Sequence, residues 1–212
     1  MKRTPFAAVT CLIGAAITMP LAAQEFSRFT FSAGGGVTQP VGGTKSRFDT
    51  GWNFTAGAGV NFVRHAGIVG EFTYNSFGIN GATLQTLQFP NGDSHIWAVT
   101  ADPIVRLNPS GPIDLYLIGG GGVYHRLVEF TQPTVATVTA FDPFFGIFFP
   151  ATVPANQVLR SFSVTKGGVN GGAGLTVRLG RGNAKLFAEA RYHYMFTPNA
   201  TTFVPVTFGL RW

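Results

Sequence analysis

Residues 204–212 read VPVTFGLRW, and Val204, Val206, Phe208, Leu210 and Trp212 occupy every second position. A two-residue period is the signature of a β-strand with one apolar face. The last residues of a soluble domain usually fray into water. Here the apolar pattern runs on to an indole at position 212, so the strand needs a neighbour that holds its end.

The same period recurs along the chain. Residues 28–37 alternate on Phe29, Phe31, Ala33, Gly35 and Val37, and residues 52–62 on Trp52, Phe54, Ala56, Ala58, Val60 and Phe62. Residues 68–77 carry Ile68, Gly70, Phe72 and Tyr74; residues 95–107 carry Trp97, Val99, Ala101, Val105 and Leu107. Residues 113–125 show Ile113, Leu115, Leu117 and Val123, residues 162–179 show Val169, Ala173, Leu175, Val177 and Leu179, and residues 185–196 show Leu186, Ala188, Ala190, Tyr192 and Tyr194. With 204–212 this makes eight strands, and no segment outside the N-terminal leader has helical spacing.

The connections alternate in length. Residues 38–50, 80–94 and 126–161 are long; RHA (64–66), NPSGP (108–112) and GRGN (180–183) are short, and TPNAT (197–201) is modest. Asn-Pro, Ser-Gly and Gly-Asn pairs supply the backbone angles that tight hairpins require. Tight turns at one end and long loops at the other predict an all-β, eight-stranded antiparallel up-and-down barrel. In such a barrel the last strand must zip to the first, which answers why residues 204–212 do not fray.

Parity decides what surrounds it. The positions opposite the apolar stripes hold Glu71, Asp102, Arg106, Asp114, Arg178, Glu189 and Arg191, together with Asn53, Thr55, Asn61, Thr73, Asn75, Thr100, Asn170, Thr176 and His193. No mid-strand charge falls on an apolar stripe. Facing lipid, each ionised group would cost about 2–4 kcal/mol near the bilayer midplane; facing a lumen, acids and bases can pair. The polar set is therefore read as a structural lumen network and the apolar stripes as a lipid-facing wall, because hydrocarbon offers no hydrogen bonds. AGGGV (33–37), AGAGV (56–60), GGGGV (119–123) and NGGAGL (170–175) place pairs of glycines on the lumen side. They either make room for Glu71, Arg106, Phe187, Glu189 and Arg191 or simply ease curvature.

The first residues read as a secretory leader: Lys2 and Arg3, an uncharged core FAAVTCLIGAAITM, then PLAA. The expected domains are a signal peptide over 1–23, cut after Ala23, and a membrane-spanning barrel over 24–212. Cys11 leaves with the leader. Removing Lys2 and Arg3 takes fifteen basic residues to thirteen against nine acidic, a net charge of +4. That bias is too diffuse for nucleic acid, which calls for a concentrated basic stripe. After the leader, no stretch reaches the ~18 uninterrupted apolar residues of a membrane helix.

The leader, the strand count, the alternating connections and the ending VTFGLRW resemble the small eight-stranded outer-membrane barrels of bacteria, the family of the OmpA transmembrane domain and OmpX. The resemblance implies location in the bacterial outer membrane, contact with its lipid and recognition of Phe208, Leu210 and Trp212 by the outer-membrane assembly machinery. It also implies a monomer with periplasmic termini.

Several chemistries find little support. Four histidines without cysteine make a structural zinc site improbable, no glycine-rich stretch opens a helix as a phosphate loop must, and no cofactor is expected. Eight strands leave an interior that side chains fill, not an aqueous pore. A lipid-modifying acyl hydrolase would need a serine activated by histidine; His193, with Glu189 four residues earlier, and His125 are the candidates, and neither has an evident serine. His95 follows Ser94, but adjacent strand residues point to opposite faces. The reading is therefore a non-enzymatic scaffold. Its alternatives are the lipid-directed enzyme and, behind that, a secreted soluble ligand-binding barrel.

One loop stands out. FDPFFGIFFP carries Phe141, Phe144, Phe145, Phe148 and Phe149, a density that either marks an interaction surface or buries itself, over the barrel mouth or in the outer leaflet. Pro143 and Pro150 argue against a regular strand there. Trp52, Trp97, Tyr74, Tyr192 and Tyr194 read as an interfacial aromatic belt. Lys45, Arg47, Arg160 and Lys166 lie near the same rim. On cell fractionation the mature chain should stay with the membrane pellet through alkaline carbonate washing and leave it in detergent. Release with the periplasmic fraction would favour the soluble barrel.

Overall fold

The computed structural model describes residues 27–180 and 183–212; the expected leader, Cys11 and the cut after Ala23 lie outside them. Eight strands follow in order: β1 (Phe29–Pro40), β2 (Gly51–Val63), β3 (Ala66–Gly78), β4 (Asn91–Arg106), β5 (Ile113–Asp142), β6 (Ile147–Arg178), β7 (Lys185–Met195) and β8 (Thr201–Arg211). Each pairs antiparallel with the next, and β8 returns to β1 to close the barrel. At the seam Phe31 and Trp212 exchange main-chain hydrogen bonds of 2.8 and 2.9 Å, and their rings lie 6.4 Å apart. The terminal strand is thus held to its last residue by both main chain and side chain.

The alternation has the sidedness that parity requires. Phe31, Phe54, Phe72, Val99, Leu117, Val169, Leu186 and Phe208 are exposed on the outer wall, while Thr55, Glu71, Thr100, Asp102, Tyr116, Asn170, Phe187 and Arg191 are buried inside. The lumen is layered. An ion cluster lies at mid-height, and Val69, Ile104, Tyr116 and Ile118 pack towards the short-turn end. Towards the long-loop end Phe77, Ile96, Tyr124, Phe130, Met195 and Phe203 form an apolar plug. This plug does not follow from reading the inner face as polar.

Loop residues complete the plug. Phe48 bridges to Ile79, and both are buried in it beside Leu84. Leu84 belongs to a short helix, α1 (Gly81–Leu87), begun by Asn80, whose side chain accepts from the Ala82 amide at 3.0 Å, and ended by Gln88 in the left-handed region. A 3-10 turn spans Gly42–Thr44. The expectation of no helix outside the leader is corrected here. Two turns with one buried side chain are too short to display a period, and their caps and their seat on the plug hold them.

The second correction concerns residues 126–161. They are not an irregular loop: β5 and β6 continue as a paired two-stranded hairpin to Asp142 and Ile147. Pro150 sits within β6 opposite Thr139, and Pro133 and Pro154 are likewise in strand. Prolines are tolerated because both strands of a two-stranded ribbon are edges, where alternate N–H groups face no partner.

The lumen glycines admit large neighbours. A Cβ on Gly174 would lie 2.5 Å from the Tyr116 hydroxyl and one on Gly34 would lie 2.9 Å from Phe187 Cζ, although at Gly34 and Gly120 the tightest contact is main chain, with the carbonyls of Phe208 and Ala101. Gly174→Val should therefore lower barrel stability by about 1–3 kcal/mol, the usual penalty for overpacking, read as a reduced thermal midpoint in detergent. An unchanged midpoint would return these glycines to a role in curvature alone.

Candidate functional site

Arg191 is the hub of the lumen. β7 points it inward between Ala190 and Tyr192 of the outer stripe, and its guanidinium meets three carboxylates from three strands. Nη2 donates to Glu71 Oε2 at 2.7 Å, Nη1 to Asp102 Oδ2 at 3.0 Å and Nε to Glu189 Oε1. The remaining acceptor sites are also used. Asp102 accepts from Thr100 Oγ1 at 2.6 Å and from Asn170 Nδ2 at 2.8 Å, Glu71 from Thr73 Oγ1 at 3.2 Å and Glu189 from the Tyr116 hydroxyl at 2.7 Å. Buried charges are tolerable only when paired and hydrogen-bonded in this way.

The expected network divides in two. Glu71, Asp102, Glu189 and Arg191 form the buried cluster, whereas Arg106 and Asp114 form a separate, loose pair at 4.0 Å nearer the short-turn end. Arg178 joins neither. It is exposed at the short-turn rim, where Nη2 donates to the Pro109 carbonyl at 3.3 Å, because two residues beyond Thr176 the wall has ended. Arg211 and Tyr116 belong to the interior although the sequence reading passed over them. Arg211 Nη2 lies 3.7 Å from Glu189, with its guanidinium over the rings of Tyr116 and Phe187. Both residues sit between apolar outward positions, so the parity that placed Arg191 was the signal available for them.

His193, His125 and His95 each have a hydroxyl partner. His193 is buried, with Nδ1 3.0 Å from the Tyr124 hydroxyl and its ring stacked on Phe203 at 5.0 Å. His125 is on the outer wall, 2.7 Å from Thr165 Oγ1 and stacked on Trp97 at 5.1 Å. His95 bonds Tyr74 at 2.9 Å, and Tyr74 packs against Trp52. Trp52, Tyr74 and Trp97, with these two histidines, thus form a band on the outer face of β2–β5 near the long-loop end. Tyr192 and Tyr194 are exposed on β7. The cation at the centre of the carboxylate cluster is Arg191 itself. Among the described residues no group of three or more His, Cys, Asp or Glu is arranged to hold a metal ion.

The phenylalanine segment forms the tip of the β5–β6 hairpin. Asp142 Oδ1 accepts from the Phe144 amide at 2.8 Å, and its carbonyl accepts from Gly146 at 2.8 Å. Gly146 takes the positive φ that closes the turn. Phe141 and Phe148 pair across the strands with ring centroids 5.0 Å apart, and Phe149 lies opposite Ala140. The tip does not fold over the mouth: Phe144 is 94% exposed, Phe145 77% and Phe148 72%.

A closed eight-stranded barrel with an apolar exterior and an ion-paired interior defines a transmembrane β-barrel of the outer-membrane class. The outer membrane protein beta-barrel domain matches residues 8–211, and the chain belongs to that family. Among solved structures it is similar to Neisserial surface protein A, with 15% identity and a TM-score of 0.57 over 87% of this chain and 96% of that one. It is also similar to Ail, the attachment invasion locus protein of Yersinia pestis, with 19% identity and a TM-score of 0.49 over 88% and 100%. A third similar structure is a major outer membrane protein of Thermus thermophilus, with 11% identity and a TM-score of 0.48 over 88% and 99%. No curated protein matches the sequence.

Removing the hub should cost more than removing a spoke. Arg191→Met leaves three buried carboxylates without their common cation and should destabilise the barrel by about 3–5 kcal/mol. Glu189→Gln leaves Arg191 paired with Glu71 and Asp102 and should cost clearly less. Urea unfolding of the two variants in detergent checks the ranking; equal losses would contradict it.

Proposed function

We propose that this protein is a non-enzymatic outer-membrane scaffold that presents its long-loop end, foremost the phenylalanine-tipped β5–β6 hairpin, to an apolar surface outside the cell. The observation that carries this reading is the hairpin itself. Beyond Thr131, β5 has lost β4 as a neighbour, and before Gly168, β6 has no pairing with β7. The segment from Gln132 to Asp142 therefore stands free of the wall, and at about 3.3 Å per residue it reaches ~35 Å. An isolated two-stranded ribbon is marginal in water, and exposing five rings at its tip is costly unless a partner covers them.

Charge points to the same kind of partner. Between Phe130 and Leu159 the single ionisable side chain is Asp142, already engaged by the turn amides. A ribbon so sparsely charged recognises its target through apolar burial, which salt does not screen. The bonding of His193 to Tyr124 and of His125 to Thr165 supports a role without catalysis.

The variant Phe144→Ser/Phe145→Ser/Phe148→Ser should leave barrel folding and heat resistance unchanged. It should reduce retention of displaying cells on a hydrocarbon surface at least tenfold at both low and high salt. Retention equal to the parent's would overturn the role assigned to the tip.

A further inference from the structure

The short-turn end of the barrel contains a second feature that the scaffold role does not use. The ends of β1 and β8, the turns β2–β3 and β4–β5, and Arg178, Asn183 and Lys185 line a half-open cavity of about 430 Å³. Its lining includes Arg64, Arg106, Arg178, Lys185 and Arg211, and no acidic side chain among the described residues. A volume of this size is within the range of small-molecule sites.

The cations are only partly compensated. Arg106 has Asp114 at 4.0 Å, Arg178 donates from Nη2 to the Pro109 carbonyl and forms no ion pair among the described residues, and neither does Lys185. Arg211 is the decisive group. Its side chain is 5% exposed, and Glu189 reaches only Nη2, at 3.7 Å. Nη1 is buried with no hydrogen-bond partner. An unsatisfied buried N–H on a guanidinium is expensive, and gathering further cations around it adds repulsion. An anion seated in the cavity relieves the repulsion: its oxygens face Arg106, Arg178 and Lys185 and accept from the side of Arg211 that lines the cavity, while Nη1 stays buried behind it. Arginine forks match phosphate oxygens in geometry, and lysine supplies a point charge beside them.

We propose that this vestibule is a binding site for a small, multiply charged oxyanion of the phosphate class, entering from the end that carries the short turns, which in outer-membrane barrels faces the periplasm. Arg211 forms its inner wall, and Arg178 and Lys185 form its rim. The phosphate group can belong to a free phosphoryl compound or to a lipid headgroup at the inner leaflet.

The test is calorimetric titration of the folded protein in dodecyl maltoside, in phosphate-free buffer of low ionic strength, with inorganic pyrophosphate as the probe. A short-chain phosphatidic acid, whose monoester headgroup can carry two negative charges, is titrated in a parallel arm. Saturable binding of pyrophosphate is expected, weakened at least tenfold in Arg178→Gln/Lys185→Gln, two rim substitutions that leave the lumen cluster intact, and lost in Arg211→Gln. Heat-dependent gel mobility establishes that each variant is folded, and if Arg211→Gln is not, the rim variant decides alone. Tighter binding in the lipid arm, with the same sensitivity to the rim variant, identifies the source as a headgroup. Absence of saturable binding in both arms, or equal affinity of parent and rim variant, overturns the proposal.

Discussion

Hydrocarbon supplies no hydrogen-bond partner, so every main-chain N–H and C=O within it must find one in the protein. For strands this means two neighbours each and a sheet without edges. The ring here is closed by β1 and β8, and it is closed fully: pairing runs from Pro40 with Phe203 to Ser32 with Arg211, and Phe31 then locks Trp212. The closure of β8 onto β1 is the consequence of that one requirement; the alternation of the strands follows from the different surroundings of their two faces, and the antiparallel order from the hairpin connections between consecutive strands. The long ribbon of β5 and β6 breaks away from the ring only where the neighbouring strands have stopped.

Closing eight strands leaves a narrow interior, and its contents follow from what the exterior cannot hold. Charges excluded from the wall collect inside, where they are stable only as a satisfied set. Arg191 bridges carboxylates from β3, β4 and β7, so the cluster ties together strands that are not all adjacent in the sheet. Asn53, Thr38, Asn75 and Thr207 extend the polar contacts across β1, β2, β3 and β8. The apolar plug above and the Val69 cluster below exclude water from this layer, which strengthens its electrostatics. Such a lumen is a core rather than a conduit.

Most of this was legible because a period of two assigns each residue to a face. Glu71, Asp102, Glu189 and Arg191 could be placed on one side from alternation alone, and so could Phe208, Leu210 and Trp212 on the other. Partners were not legible. Alternation gives the face but not the height, so Arg106 and Asp114 could not be separated from the Arg191 cluster, nor could Arg178 be placed at the rim. Phe203 and Met195 were hidden because an inner face read as polar gives no reason to look for a plug. The helix at Gly81–Leu87 is fixed by Leu84 resting on that plug, a tertiary contact that seven residues do not announce. The ribbon of residues 126–161 was obscured by its prolines, whose usual meaning in a sheet does not apply where both strands are edges.

The central claim is the sidedness of the wall: apolar side chains face acyl chains, and their immediate neighbours in sequence face a sealed interior. Fluorescence quenching by lipids brominated along the acyl chain tests it directly. In a background with Trp52, Trp97 and Trp212 replaced by phenylalanine, single tryptophans are placed at Leu117, which is 55% exposed, and at the adjacent Tyr116, which is 1% exposed. Strong quenching at position 117 with near-complete protection at position 116 is the result this account predicts. Equal quenching at the two positions, or quenching at 116 alone, would contradict it.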